Sequence, residues 1–365
     1  MSIPPCATGA LYAVTLVVGL VLGGCAPVPS GTATHLPPDA PAASTANETT
    51  ANETTAAPPR LEVTGFEPEW APAALVDRDA EALDVIGVDG VLLTPDGAGV
   101  TPVTAALDKR RDRAHAHGLT AQLLVSNYDE RIGDFSEPLA RRMLGSPARR
   151  AAVVADLATA VTGGGWDSIM VDLESLNRSD TDALTAFCRE LRAALGPDVR
   201  LDIALMASTT AKGYSAWGYD LPALAAELDH LVLMAYDQHG PWAPNDPGPI
   251  GALDWSEQAL TVLLADVPPG QVVLGVAGYG YRWHGPHGAG EVSVAAARSI
   301  VEKAGRTATW REDAGEWTAT LPHGQVLWWS DARSLDARVR LARDHRLAGV
   351  AVWSLDLADP IKPVD

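Results

Sequence analysis

Cysteine is nearly absent from this chain of 365 residues: there are three, and the first two fall at positions 6 and 25. No Cys-based metal site can be built from them, and no framework of disulfides. The third, Cys188, falls on an apolar helical face with Leu184, Phe187 and Leu191, where it reads as core. Basic charge is also scarce. Against 46 Asp and Glu stand 27 Lys and Arg, a formal net charge of -19, and the basic residues form no block. Nucleic acid is therefore excluded as a partner, because phosphate neutralisation needs clustered Lys and Arg. Long hydrophobic runs are missing as well. The apolar segment Ala10 to Leu22 covers thirteen positions, too short to span a bilayer and suited to the core of a signal peptide. No Gly-x-Gly-x-x-Gly follows the first strand-like run, which removes the usual dinucleotide reading. Phenylalanine occurs three times and tryptophan eleven, a bias toward amphipathic aromatics that suits a carbohydrate cleft.

The apolar segment runs into Leu22-Gly23-Gly24-Cys25, which resembles a bacterial lipobox, with Cys25 as the residue that carries lipid. A plain secretory signal is the alternative, and both predict export. Residues 1–24 are read as the signal peptide, and residues 25–60 as a tether rich in Pro, Ala, Ser and Thr, with Ala-Asn-Glu-Thr-Thr repeated at 46–50 and 51–55. Such a composition cannot bury enough apolar surface to offset chain entropy. A flexible chain of that length reaches roughly 30–35 Å. The expected location is the cell membrane through a lipid anchor, facing the cell wall, with secretion as the alternative.

From residue 61 to 365 the pattern alternates strand and helix. Apolar runs at Leu61–Phe66, Gly90–Leu93, Thr120–Ser126, Ser168–Glu174, Arg200–Ala207, His230–Tyr236, Val272–Gly278 and Gly349–Ser354 read as strands. Helical patterns such as Thr104–His117, Pro147–Val161, Thr181–Leu195 and Ser334–His345 separate them. Eight strands in βα order predict an α/β fold of the (β/α)8 TIM-barrel kind, with a doubly wound open sheet as the rival. Between strands seven and eight lies an excess, about residues 284–328, with a helix at Val294–Ala304 and a Trp-bearing hairpin from Thr309 to Thr318. It reads as a small α+β insertion rising from the catalytic face. A monomer is expected.

The run Gly165-Trp166-Asp167-Ser168-Ile169-Met170-Val171-Asp172-Leu173-Glu174 ends in two carboxylates two residues apart. On a strand both would face one side, separated by roughly 6–7 Å. Neighbouring carboxylates resist ionising together, so one becomes a proton donor near neutral pH. The plainer reading is that both acids cap the next helix or pair with Arg178.

Three motifs are similar to glycoside hydrolase family 18. Asp167 to Glu174 resembles its Asp-Gly-x-Asp-x-Asp-x-Glu signature on the fourth strand; Met234-Ala235-Tyr236-Asp237 resembles its Met-x-Tyr-Asp at the sixth; Trp353 matches the tryptophan ending the eighth. Gly65-Phe66-Glu67-Pro68-Glu69-Trp70, Val125-Ser126-Asn127-Tyr128 and Trp328-Trp329-Ser330-Asp331 look like the spore-germination, peptidoglycan-lysing branch. The resemblance implies cleavage of β-1,4 linkages at N-acetylglucosamine, in chitin oligomers or peptidoglycan, by a substrate-assisted retaining mechanism that is an exception to the two-carboxylate scheme. It implies Glu174 as general acid, Asp172 as orienting group for the 2-acetamido substituent and Tyr236 as donor to its carbonyl oxygen. Asp237 would support the ring hydroxyls or the acid, and Trp353 would floor the reacting sugar. Trp242, Met234, Phe66 and Asn127 are further substrate-binding candidates. No metal or cofactor is expected. The family's middle acid is Met170 here, which removes a polar partner that could share a proton with Asp172, and its glycine is Ser168. Relatives that lost the acid are glycan-binding lectins, so a weak or inactive binding protein is the alternative; the presence of Glu174 favours hydrolysis.

Overall fold

A computed structural model describes residues 60–285 and 288–364. The expected signal segment, Cys25 and the tether lie outside the described residues. Seven strands succeed one another as β1 (Glu62–Pro68), β2 (Val85–Leu92), β3 (Thr120–Ser126), β4 (Ser168–Asp172), β5 (Arg200–Met206), β6 (His230–Met234) and β7 (Val272–Ala277). Five more form a separate sheet: β8 (Tyr279–Trp283), β9 (Ala289–Ser293), β10 (Thr309–Arg311), β11 (Glu316–Thr320) and β12 (Val326–Trp329). The last is β13 (Gly349–Trp353). β1 to β7 and β13 close into a parallel barrel in which β13 lies between β1 and β7. This is the (β/α)8 barrel. No described helix is long and apolar enough to cross a membrane.

The barrel strands are apolar on both faces because both faces are covered. Their outward side chains, among them Val63, Ile86, Leu123, Ile169, Leu231 and Leu274, pack against the helices, and Cys188 is buried in that layer as expected. Inward side chains form a second cluster: Phe66, Leu124, Met170, Ala204, Val232, Val273 and Ala351. The barrel is thus a packed core, open to chemistry only at the strand ends.

The second strand starts five residues earlier than Gly90–Leu93. Gly87 and Gly90 interrupt the apolar run and so read as breaks, yet packing requires both. A Cβ on Gly87 would lie 2.3 Å from Cδ1 of Phe66, and one on Gly90 would lie 2.7 Å from Cδ2 of Leu107. Pairing with β3 shifts register between Asp89 and Val91, a bulge of the kind that re-aims side chains near active sites.

The insertion also begins earlier than residue 284. β8 starts two residues beyond the end of β7, with Gly278 between them so closely packed that a Cβ there would meet Ala358 at 2.7 Å. The sheet runs in the order β9-β8-β12-β11-β10. Helix Val294–Lys303 covers one face, where Val294, Ala297 and Val301 pack on Leu327 and Trp329. The other face presents Tyr279, Tyr281, Trp283 and Trp328, with Tyr236 and Trp353 of the barrel mouth packed against them.

Candidate active site

Strand β4 ends at Asp172, so its ladder stops two residues short of Glu174. Leu173 turns back into the core and Ser175 takes a left-handed conformation, φ 59°, leaving Glu174 on a sharp turn above the barrel. Asn127, just past β3, replaces the missing ladder: its Oδ1 accepts from the Glu174 N–H at 2.8 Å and its Nδ2 donates to the Glu174 carbonyl at 3.0 Å. Neither acid caps the following helix. Asn177 and Asp180 cap that turn by a reciprocal capping box.

Asp172 is 7% exposed, and its Oδ1 is buried without a hydrogen-bond partner. Burial, reinforced by the negative charge of Asp89, pushes its carboxyl up to about 7. Glu174 is held well above the usual carboxylate range by burial and by Asp172, Asp237 and Asp134. Every charge acting on it is negative. Glu174 therefore favours its protonated form near neutral pH, whereas Asp172 stands close to the midpoint between its two forms.

β6 likewise ends before its chemistry. The expected strand to Tyr236 stops at Met234, and Tyr236 and Asp237 follow on the connection, Asp237 left-handed at φ 57°. Tyr236 faces Tyr279 edge-on with ring centroids 6.3 Å apart. Burial and the charges of Asp172, Glu174 and Asp237 hold its hydroxyl well above its ordinary pKa, so it stays a donor. Asp237 accepts from the hydroxyls of Tyr279 at 2.6 Å and Tyr281 at 2.9 Å. Burial raises its carboxyl, and the two donors oppose that rise.

Asp172 and Glu174 at the end of β4 and Tyr236 and Asp237 beyond the end of β6 thus stand at the same mouth of the parallel barrel. Trp353 is half-buried and belongs to both the barrel interior and the aromatic face of the insertion. Trp242, carried on the loop after β6, packs edge-on to Tyr281 at 6.3 Å, beside Asp237. Met234 is half-buried against the interior cluster, directly below the turn that carries Tyr236.

Two candidates take different places. Phe66 is 5% exposed and lies in the barrel interior with its ring 5.9 Å from that of Trp353; it supports the tryptophan from beneath instead of lining the cleft. Asn127 is fully buried with its amide committed to the Glu174 main chain and the Ser136 carbonyl, so it positions the acid and offers nothing to a ligand. In both cases the resemblance of the surrounding motif to the family suggested a cleft residue, whereas depth and hydrogen bonding decide otherwise.

Sequence reading missed Tyr279, Tyr281, Asp89 and Asp134. The tyrosines alternate in Tyr279-Gly280-Tyr281-Arg282-Trp283, a period-2 signal that marks one face of a strand. Asp89, a lone acid inside an apolar run, was signalled by its isolation. Asp134 lies on the two-stranded hairpin formed by Tyr128–Asp129 and Asp134–Phe135, too short to register as a pattern. Among the described residues no group of three or more His, Cys, Asp and Glu has the geometry to hold a metal ion.

The sequence pattern of glycosyl hydrolases family 18 matches residues 108–358. The cortical fragment-lytic enzyme of Bacillus subtilis (strain 168) is 27% identical over 276 residues, covering 71% of this chain and 62% of that protein. The glycosylase YvbX of the same organism, itself uncharacterized, is 25% identical over 244 residues, covering 64% and 70%. Some relatives are longer still: the chain spans 55% of the Bacillus subtilis protein YdhD. Among solved structures, the spore cortex-lytic enzyme SleL of Bacillus cereus superposes with a TM-score of 0.73 at 20% identity, covering 82% of this chain and 72% of that one. The chitinase of Chromobacterium violaceum ATCC 12472 gives 0.75 at 24%, covering 82% and 96%. The structural likenesses concern the fold, and the sequence match over most of the barrel establishes the lineage: the chain belongs to glycosyl hydrolases family 18.

Proposed function

We propose that this protein is a glycoside hydrolase that cleaves β-1,4 linkages at N-acetylglucosamine residues through a substrate-assisted retaining mechanism. The observation that carries the reading is the placement of Asp172 at the end of β4, Glu174 on the turn that follows it with its main chain held by Asn127, and Tyr236 and Asp237 just beyond the end of β6. A protonated Glu174 donates its proton to the glycosidic oxygen as the bond to the leaving sugar breaks. The acetamido oxygen of the bound sugar attacks the anomeric carbon, Asp172 accepting from the acetamido N–H and Tyr236 donating to the oxygen. Glu174, now anionic, takes a proton from the incoming water as the water oxygen bonds to the anomeric carbon and the bond from the acetamido oxygen breaks, which restores both the acid and the acetamido group. Trp353 offers its indole to the apolar face of the sugar, a contact of ordinary aromatic packing.

Relatives named for lysing spore cortex and cortical fragments favour envelope glycan as the substrate, and chitinase neighbours favour chitin oligomers. Both present the acetamido group that the chemistry needs. The lipobox-like Leu22 to Cys25 supports display from a membrane anchor at the cell surface; incorporation of labelled fatty acid in wild type and its loss in Cys25→Ser would test it.

Wild type and Glu174→Gln are to be compared on chitooligosaccharides and on purified peptidoglycan. Loss of a general acid is expected to lower kcat by about 10²- to 10⁴-fold. Equal release of sugar by both proteins would sink the reading. Polymer binding by both with release by neither would make this a glycan-binding protein.

A further inference from the structure

Tyr236 and Asp237 stand on a stretch that no regular element supports, since neither helix nor strand occurs between Met234 at the end of β6 and the helix that begins at Leu253. The orientation of the turn therefore comes from tertiary contacts. The far end of the connection returns to supply them: the Gln238 N–H donates to the Ile250 carbonyl at 2.7 Å, and the Gln238 side-chain oxygen accepts from the Ala252 N–H at 2.9 Å. Between these bonds Gly251 presses on the turn itself. A Cβ at position 251 would stand 2.2 Å from the Ala235 carbonyl oxygen and 3.1 Å from Cα of Tyr236, so the position has room for hydrogen alone.

That segment is held in turn by one buried carboxylate. Glu316, the first residue of β11 and fully buried, accepts from the Ile250 N–H at 2.7 Å through Oε2 and from the Gly251 N–H at 2.8 Å through Oε1. Arg338, buried on the helix Ala332–Asp344, donates to the same Oε1 at 3.0 Å and also to the Gly251 carbonyl. Both main-chain groups of Gly251 are thus fixed from outside the loop. Bonds to an ionised acceptor are shorter and stronger than neutral ones, so this clamp is stiffer than the main-chain bonds it backs. The turn before β11 is anchored at the same place, with Gly315 offering its carbonyl to Arg338 at 2.9 Å and Ala314 accepting from the Leu253 N–H at 3.1 Å.

We propose that Glu316 is a positioning residue for the reaction: it holds Ile250 and Gly251 against the turn after β6 and so fixes where the Tyr236 hydroxyl stands. The proposal rests on the hydrolase reading above. Glu316 is fully buried and its oxygens are engaged by Ile250, Gly251 and Arg338, so it touches no substrate. Its effect passes through two contacts, Gly251 on Tyr236 and Ile250 on Gln238. Tyr279 and Tyr281 hold the neighbouring Asp237 by its side chain. The insertion therefore grips both residues of the turn, one through its carboxylate and the other through the main chain beneath it.

The test uses the full chain as wild type, Glu316→Gln, Tyr236→Phe, the double variant, and Asp202→Asn as a control. Asp202 is a fully buried carboxylate near the start of β5, away from the mouth, that accepts from Gln122 at 2.8 Å, Arg200 at 2.6 Å and the His230 N–H at 3.1 Å. Glu316→Gln and Asp202→Asn should both melt lower than wild type, as loss of a buried charge that holds several donors requires. Only Glu316→Gln should lower kcat on chitotetraose, by about 10- to 100-fold, because a small displacement of a group aimed at the reacting centre is costly. KM should change by less than about twofold. In the Tyr236→Phe background the same substitution should change kcat by less than about twofold, since the hydroxyl it positions is gone. A readout independent of hydrolysis is the fluorine resonance of 3-fluorotyrosine placed at position 236, which should move in Glu316→Gln and stay in place in Asp202→Asn. Glu316→Asp keeps the charge beside Arg338 and draws it back by one methylene; it carries the same test if Glu316→Gln does not fold. Wild-type kcat in Glu316→Gln, or an equal loss of kcat in the wild-type and Tyr236→Phe backgrounds, overturns the proposal. If wild type releases no sugar, the hydrolase reading fails instead, and the resonance decides alone: an unmoved signal in Glu316→Gln overturns the assignment of Glu316.

Discussion

The side-chain amide of Asn127 grips the main chain of Glu174 from both sides, accepting its N–H at 2.8 Å and donating to its carbonyl at 3.0 Å. The residue lies past the end of β4, where no ladder bond fixes it, so this pair of bonds aims the acid. Asn127→Ala should lower kcat by about 10- to 100-fold with KM nearly unchanged, because small misplacements of a catalytic group are expensive. Steady-state kinetics check it; a KM effect without a kcat effect would mean that Asn127 contacts substrate after all.

Tyr279 and Tyr281 converge on one oxygen of Asp237. Removing either hydroxyl leaves a buried carboxylate with one donor fewer, a loss of about 1–3 kcal/mol. Tyr279→Phe and Tyr281→Phe should each reduce kcat/KM, and the double variant should lose less than the sum of the two, since both act through Asp237. A double-mutant cycle measures that coupling.

Gly275 faces Tyr236 across the inner wall. A Cβ there would lie 2.6 Å from the Leu233 carbonyl oxygen and 3.0 Å from Cε1 of Tyr236. Gly275→Ala should displace the tyrosine and destabilise the fold by about 1–3 kcal/mol, as overpacking does. Thermal melting and kcat should fall together.

Glu316 ties the insertion to the loop after β6. Its carboxylate accepts from the N–H groups of Ile250 and Gly251 at 2.7 and 2.8 Å and from Arg338 at 3.0 Å, all buried. Breaking such a pair by Glu316→Ala should cost about 3–5 kcal/mol. Denaturant unfolding checks the loss.

Stability should also depend on pH in a stated direction. Glu67 and Asp172 are raised to about 7 and Asp89 to about 6, each mainly by burial. Between about pH 4 and 7 the folded state therefore binds more protons than the unfolded chain, and its stability falls as pH rises through that window. Asp172→Asn removes one of these groups. It should melt higher than wild type at pH 8, with a smaller difference at pH 4, while losing activity; a wild type whose melting temperature climbs steadily from pH 4 to 7 would contradict the assignment.

Much of this was legible in the linear pattern. Ile169 to Leu173 announced a strand covered on both faces, and the spacing of eight such runs announced a barrel, because burial on two sides leaves a composition that survives without tertiary context. Strand β2 was legible only in its second half. Gly87 and Gly90 look like breaks until Phe66 and Leu107 are seen to occupy the space a side chain would need. The ends of β4 and β6 were placed two residues too far, since Glu174 and Tyr236 continue the apolar alternation while the chain turns away through Ser175 and Asp237.

The sequence by itself determined the fold class, the lineage, and the identity of Asp172, Glu174, Tyr236 and Asp237 as the chemical candidates, because each depends on residue type and local spacing. The tertiary structure decided who stands beside them. Asn127 behind Glu174, the two tyrosines on Asp237 and Phe66 beneath Trp353 come from other strands. Their roles arise from closure of the barrel, which brings residues distant in sequence into one buried volume where charge and hydrogen bonding act strongly.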